Sequence, residues 1–255
     1  MSEYYNPVRE SFKLAKRIDS ISFWLLIISA LLTITAFVFN KIDSLKNYSE
    51  TIVNINTIFI ISYAVTKFAV NYLLFHTSFD KRADFIDNAF GTNYSSTKSN
   101  QYYNNDMESG IMRMGANSFE SCFFTYNLSI KSLTKKWVFN LTTTIIIIGL
   151  AVQGYSSILA MILQLSLPLF LISDAINHSI FCLRIKNTLD SFCRLYNDLL
   201  DENQRKSKEP EIILTVLNYE TTLSTFNLLI SEKIYIDNNQ EFSKKWDNLK
   251  AKYKI

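Results

Sequence analysis

The chain has 255 residues, of which 48% are hydrophobic, and its 26 basic and 23 acidic residues leave a net charge of +3. This balance excludes a strongly basic surface for long nucleic acids. Only five Gly and three Pro are present, which favours continuous helices over a sheet protein. Three Cys and two isolated His provide no disulfide framework, metal-binding spacing or catalytic motif, so we expect no enzyme activity, no cofactor and no metal.

Four stretches are long and apolar enough to cross a bilayer, which requires about 20 apolar residues in a helix. They are residues 21–39, 52–75, 137–152 and 155–173, and the first contains no charge. A soluble helix that is apolar on every side would have no face for water. The sequence predicts an all-α polytopic membrane protein with four transmembrane helices and a helical cytoplasmic bundle. The alternative is a large soluble helical domain with unusually apolar core helices.

The distribution of basic residues predicts the topology, because Lys and Arg near span ends collect on the cytoplasmic side. Four lie before the first span, two in the first connection, seven in the second, none in the third and twelve in the tail. We therefore expect both termini in the cytoplasm. The predicted divisions are 1–75, the N-terminal arm with the first two spans; 76–136, a cytoplasmic segment; 137–173, the last two spans; and 174–255, a cytoplasmic tail. The first stretch is too long for a cleaved signal peptide and is expected to remain as a span.

The second connection predicts two helices with a loop between them. Ser78 is a candidate N-cap, and Gly91 a left-handed stop for the apolar pattern that follows Ser78. Residues 91–106 are polar, rich in Tyr and Asn and without period, which indicates a loop. Asn117, three residues before Glu120, fits a capping box and predicts a helix that begins there and feeds the third span.

The tail predicts helices that pack as a bundle. Residues 174–200 contain no Gly or Pro, so the helix of the fourth span is expected to continue unbroken through them. A second amphipathic helix follows Pro210 and keeps its spacing to Ile230. Together with the segment at 76–136, these helices are expected to form the cytoplasmic bundle.

A polar stripe in the second span is the first functional feature. Its residues follow at spacings of seven, four and four: Asn56, Tyr63, Lys67 and Asn71. Polar groups in hydrocarbon cost a few kcal/mol unless they face protein or water. Three interpretations stay open: packing against the chain's other spans, Lys67 reaching toward the headgroups, or lining of an aqueous pore on an axis shared by several copies. The residues Thr142, Thr143, Thr144, Gln164 and Pro168 in the last two spans are expected to serve helix packing.

The Tyr- and Asn-rich loop is the second feature. Aromatic rings there could stack on bases and basic groups could bind phosphates, which makes a nucleotide ligand chemically reasonable. The candidate ligand-binding residues are Lys81, Arg82, Tyr94, Lys98, Tyr102 and Tyr103. The alternative is a surface loop whose tyrosines pack on neighbouring helices.

Residues 79–91 read Phe-Asp-Lys-Arg-Ala-Asp-Phe-Ile-Asp-Asn-Ala-Phe-Gly between two pairs of predicted spans, with a helical tail after them. This layout resembles the bacterial four-transmembrane effectors of anti-phage defence, among them effectors associated with nucleotidyltransferases, and most closely the membrane effector of the Hailong system. Where related effectors carry a glutamine, this chain has Ile86 and Asp87, so no single ligand residue is transferred.

The resemblance implies an oligomeric inner-membrane ion channel, with a tetramer favoured. It also implies gating by a nucleotide or short oligonucleotide from a partner nucleotidyltransferase, and depolarisation of the infected cell as abortive infection. A different class also fits the sequence: a non-conducting membrane sensor or scaffold that recruits a soluble partner through its cytoplasmic bundle.

Overall fold

The computed structural model describes residues 9–96, 99, 107–151, 158–230 and 232–255. Within this part six α-helices follow one another: α1 Arg9–Lys41, α2 Lys46–Phe90, α3 Ile111–Ala151, α4 Ile158–Asp198, α5 Glu209–Phe226 and α6 Glu232–Tyr253. Two short 3-10 turns, Glu202–Gln204 and Lys206–Lys208, connect α4 to α5. The described residues contain no β-strand, so the all-α prediction is confirmed.

The chain divides into two compact units. The first, here called the four-helix unit, comprises Phe12–Leu74 and Thr134–Asn177 and therefore takes segments from α1 to α4. The second, here called the bundle, comprises Phe75–Leu133 and His178–Ile255 with the described residues up to Ser11. The helices α2, α3 and α4 each contribute residues to both units.

Two helices in the described part, rather than the four predicted, are long and apolar enough to cross a membrane. They are α1 and α2, with mean hydropathies of 2.4 and 1.7 in their most apolar segments. The predicted third span is shorter and contains the polar residues Asn140 and Thr142–Thr144, while the predicted fourth begins among residues 152–157, outside the described part. Four spans therefore remain a prediction.

The outer face of α2 is strongly apolar. Only 11% of its most apolar segment is buried, compared with 33% for α1. Large apolar side chains lie exposed along it, including Ile58, Ile61, Val65 and Phe68. A helix in the core of a soluble protein would have buried these side chains.

The predicted helix start at Ser78 is wrong. The helix α2 continues through this position without a break, and the Ser78 hydroxyl donates to the Phe75 carbonyl within the helix instead of capping an end. Nothing in the sequence around residues 75–78 breaks a helix, because neither Gly nor Pro is present there. The stop at Gly91 is confirmed: this residue has φ +70°, and its amide donates to the Asp87 carbonyl.

The predicted capping box at Asn117 is also wrong. The helix α3 already begins at Ile111, after Gly110 with φ +150°, and the Gly110 amide donates to the Ala89 carbonyl. Asn117 lies fully buried inside this helix and donates to the Asn88 side chain at 2.9 Å. The same polar residue types serve caps and buried contacts between helices, so the spacing alone was ambiguous.

The first two helices of the tail follow the prediction, whereas α6 was not predicted. The helix α4 runs unbroken to Asp198, with Pro168 inside it, and α5 has a proline in its first turn. The helix α5 ends at Phe226 rather than near Ile230, because Asn227 adopts a left-handed conformation with φ 43°. The bundle core lies between these helices and α3, where the Phe119 ring stacks on Phe192 and Tyr196 and meets the edge of Trp246 from α6.

Candidate functional site

Asn56, the first residue of the predicted stripe, faces the interior of the four-helix unit. It is 6% exposed, and its side-chain amide donates to the Thr33 hydroxyl of α1 at 3.0 Å. The Thr33 hydroxyl in turn donates to the Ser29 carbonyl. This contact fits the interpretation of the stripe as packing between spans.

Lys67 pairs with an acidic residue that the sequence analysis did not single out. Its Nζ donates to Asp19 Oδ1 on α1 at 2.6 Å and lies 6.0 Å from the centre of the Tyr63 ring. The Tyr63 ring itself contacts the Phe170 ring of α4, with 6.3 Å between centroids. The aliphatic part of Lys67 therefore lies along the protein surface near the Tyr63 ring, and its charge is paired with Asp19 of α1.

Asn71 does not share this environment, since it is exposed. The stripe therefore separates into three residues directed toward other helices of the unit and one directed outward. The spacing of seven, four and four is close to helical periodicity but drifts over four turns, which explains the divergence of its last member.

A second ion pair lies at the corresponding level of the other two helices. Lys136 of α3 donates to both carboxylate oxygens of Asp174 on α4, at 2.9 and 2.8 Å. Asp174 also lies within electrostatic reach of Lys67 and Tyr63. Two lysines and two aspartates thus lie together in the four-helix unit. We call this set the charged layer: Asp19, Lys67, Lys136 and Asp174.

In the bundle, Asp87 holds the start of the Tyr- and Asn-rich loop. Its carboxylate accepts the amides of Tyr94 and Ser95, each at 2.7 Å, and the hydroxyls of Thr92 and Ser95, each at 2.8 Å. Burial by itself would raise the pKa of Asp87, but these four hydrogen bonds together hold that pKa well below its ordinary range. Asp87 is therefore ionised at neutral pH and acts as a clamp on the loop.

A second carboxylate extends this clamp. Asp84, one turn earlier on α2, accepts the Ser99 amide at 2.6 Å. Residues 91–96 and 99 are thereby fixed against the C-terminal end of α2, although they form no helix or strand. From the sequence, Asp84 and Asp87 are only two acidic residues three positions apart on a helix. Their role as acceptors for the loop amides depends on the path of the loop and could not be predicted.

The predicted ligand-binding residues divide into described and undescribed ones. Lys81 and Arg82 are partly buried on α2, and the Arg82 Nε donates to the Ser78 carbonyl. Tyr94 is 74% exposed, so its ring is accessible while its amide is held by Asp87. The remaining candidates, Lys98, Tyr102 and Tyr103, lie outside the described residues.

His178 and Cys122 occupy buried structural positions. His178 is buried and its Nε2 lies 3.0 Å from the Ser129 carbonyl oxygen and 3.2 Å from the Ser132 hydroxyl. The thiol of Cys122 is buried, and burial raises its pKa, which makes it unreactive. No group of three or more His, Cys, Asp or Glu within the described residues could hold a metal ion.

No protein-family model, no curated protein and no solved structure matches this chain.

Proposed function

We propose that the chain is a pore-forming membrane effector of a bacterial anti-phage defence system. A nucleotide or short oligonucleotide made by a partner nucleotidyltransferase gates it, and its activity depolarises the membrane. In this proposal the protein spans the inner membrane four times with both termini in the cytoplasm and assembles as a homo-oligomer, with a tetramer favoured.

The exposed apolar face of α2 is the observation that carries the proposal. Side chains such as Phe68 and Val65 would face water in a soluble monomer, at a cost of about 25 cal/mol for each Å² of apolar surface. Lipid removes this cost, and α2 is long enough to cross the hydrocarbon core. The basic residues flanking the predicted spans support the proposed orientation.

The polar and charged groups of the four-helix unit support conduction. Asp19, Lys136 and Asp174 lie directly beside the ends of predicted spans, and Lys67 pairs with Asp19 from within the second span. Ionised groups at such positions are commonly functional. Here the charged layer supplies two lysines and two aspartates, and Thr33 and Asn56 add a polar contact between α1 and α2. Such groups can attract and coordinate ions at the end of a pathway.

The clamped loop supports ligand gating. Asp84 and Asp87 hold the first part of the loop against α2, so its exposed Tyr94 ring is presented from a fixed base. A ligand that bound this loop could bias a two-state arrangement of the bundle. The choice of a nucleotide rests on the aromatic and basic residues of the loop and on the resemblance to nucleotidyltransferase-associated effectors.

Induced expression in bacteria tests the proposal. We expect expression together with the partner nucleotidyltransferase to collapse the membrane potential, measured with a voltage-sensitive dye. Purified protein in liposomes should then conduct ions, with altered selectivity in Lys67→Ala but not in the control Lys186→Ala, whose lysine is exposed on the bundle. Protein that is inserted and oligomeric but never conducts would overturn the proposal.

The scaffold alternative is favoured by one observation. Asn56 and Lys67 find their partners within the chain, at Thr33 and Asp19, as expected if the stripe only holds helices together. In that case the bundle recruits a soluble partner and liposomes show no flux. A copurifying protein bound through the bundle, together with an unchanged membrane potential, would support this function instead.

A further inference from the structure

Polar side chains are buried at successive levels inside the four-helix unit. They come from three of its helices and each is at least nine-tenths buried: Ser22, Ser29, Thr33, Asn56, Asn140 and Thr144. On α1 the three polar residues share one face with small apolar residues such as Ala30 and Ala36. The sequence analysis identified Asn56 and Thr144 but not the polar face of α1.

Three oxygens of this set lack a hydrogen-bond partner within the described part of the chain. They are the hydroxyls of Ser29 and Thr144 and the side-chain carbonyl oxygen of Asn56. Ser29 is 1% exposed and Thr144 4%, so neither reaches solvent at the surface of the unit. Buried polar atoms without protein partners usually hydrogen-bond to internal water.

An apolar cluster lies along α1 between the charged layer and the Asn56–Thr33 contact, beside Ser29 and Thr144. Leu26 and Ala30 of α1, Ile147 of α3 and Leu171 of α4 pack together, with Tyr63 and Phe139 against them. The charged layer lies toward the start of α1 from this cluster, at Asp19, and the Thr33 contact lies toward its end. Polar and charged groups therefore occur on both sides of an apolar constriction.

We propose that the ion path runs through the interior of each protomer's four-helix unit, and that this apolar cluster is its closed gate. This inference rests on the proposed pore function and gives the pore a location. Internal water bound to Asn56 lies beyond the cluster, the hydroxyls of Ser29 and Thr144 lie beside it, and the closed cluster blocks ions by excluding water. Opening requires the cluster to separate enough for water to become continuous.

The two faces of the helices decide between this path and one on an oligomer axis. The outer faces of α2 and α3 are mostly apolar, as at Phe68 and Ile145, with Asn71 and Thr142 as exposed polar residues, whereas the unsatisfied oxygens are directed inward. A water-filled axis between protomers would need a polar face along the whole span, but from Ile58 to Phe68 the exposed residues of α2 are all apolar. Each protomer of an oligomer would accordingly conduct through its own path.

Ile147 and Ile145 provide a matched test, because they are the same residue type on one helix with exposures of 2% and 68%. We expect Ile147→Ser to raise ligand-free ion flux in liposomes by about tenfold or more, because a hydroxyl lets water enter the constriction. Ile145→Ser should conduct like the unmodified protein. Membrane fractionation checks insertion, and size-exclusion chromatography in detergent checks the oligomeric state.

The inference is overturned if Ile147→Ser is inserted and oligomeric but its flux equals that of the unmodified protein, or if Ile145→Ser leaks instead. If the unmodified protein conducts while Ile147→Ser behaves like it, only the location of the path is wrong. If neither protein conducts under any condition, the pore function itself fails.

A cysteine measurement covers the case in which Ile147→Ser does not fold. A water-soluble, membrane-impermeant methanethiosulfonate should modify Ser29→Cys in the conducting protein and reduce its flux, because this position faces the water-filled interior. Leu31→Cys, 58% exposed on the outer face of α1, should remain unmodified because it faces lipid. Modification of Leu31→Cys with Ser29→Cys protected would place water outside the protomer and overturn the inference. The unmodified protein under the same reagent controls for the three native cysteines.

Discussion

Lys67 of α2 donates to Asp19 of α1 at 2.6 Å, although 48 residues separate them in sequence. Both side chains are partly exposed, so in water the pair would contribute little. Lys67 lies within the predicted second span, where an isolated lysine costs about 2.5–3.5 kcal/mol, so beside lipid the pair with Asp19 stabilises the protein far more. The coupling free energy between Lys67 and Asp19 therefore indicates whether lipid or water surrounds the pair.

A double-mutant cycle on this pair gives the first prediction. We expect Asp19→Ala and Lys67→Ala each to destabilise the protein, and the double variant to recover part of the loss, with a coupling of about 1–2 kcal/mol. Thermal unfolding in lipid nanodiscs measures this. The exposed pair Lys186–Asp190, at a similar 2.7 Å, should show much weaker coupling. Equal coupling in the two pairs would mean that Lys67 and Asp19 are in water.

The outer face of α2 gives the second prediction. Phe68→Lys should reduce membrane insertion, because a lysine that faces lipid costs up to about 3 kcal/mol at the centre of a span and less toward its ends. Phe79→Lys is the matched control, since Phe79 lies on the same helix and is 69% exposed, compared with 73% for Phe68. It belongs to the bundle and should insert normally. Membrane fractionation compares the two variants, and a Phe68→Lys protein that becomes soluble and folded would favour the soluble-domain alternative.

The clamp residue Asp87 gives the third prediction. Asp87→Asn should destabilise the bundle by about 1–3 kcal/mol, because the new amide group opposes the amides and hydroxyls that donate to the carboxylate. Asp80→Asn, at an exposed position on the same helix, should have little effect. Thermal unfolding measures both, and equal effects of the two substitutions would contradict the clamp.

The clamp also predicts a pH dependence. The pKa of Asp87 is lower in the folded protein than its ordinary value of 3.8, so the folded state favours the ionised form. Its contribution to stability is therefore complete above that value and is lost as pH falls through the lower folded pKa. Between pH 5 and 8 the difference in stability between the unmodified protein and Asp87→Asn should stay constant, apart from other groups that titrate.

A close contact at Gly115 gives the fourth prediction. A Cβ there would lie 2.8 Å from the Ile212 side chain and 2.9 Å from the Tyr196 hydroxyl oxygen, and both neighbours are buried. Gly115→Ala should therefore lower stability by about 1–3 kcal/mol through overpacking. Gly149→Ala on the same helix meets nothing within 4 Å and should be neutral or stabilising by up to about 1 kcal/mol. Equal melting shifts would show that α5 can move away from α3.

Features set by local sequence were predicted well. The continuation of α4 to Asp198 follows from the absence of Gly and Pro after residue 168, and the stop at Gly91 follows from the tolerance of glycine for positive φ. The predicted starts at Ser78 and Asn117 failed because a capping residue marks a helix end only where the helix is interrupted. Neither position is interrupted here.

Features set by contacts between helices could not be predicted in the same way. Spacing identified Lys67 and Asn56 as a stripe, but their partners Asp19 and Thr33 depend on how α1 packs beside α2. The polar face of α1 was missed because Ser and Thr are common in apolar helices, where their hydroxyls can bond the preceding turn. Only the packing distinguishes Ser29, which makes no such bond, from Thr33, which does.

The clamp at Asp84 and Asp87 has a consequence for hydrogen exchange. The amides of Tyr94, Ser95 and Ser99 lie outside any helix, yet each donates to a carboxylate, so their deuterium uptake should be slow in a stretch that would otherwise exchange within seconds. A ligand that engages the loop must either preserve these three bonds or replace them. Deuterium uptake at these amides would therefore show whether a bound ligand preserves the hydrogen bonds to Asp84 and Asp87 or breaks them.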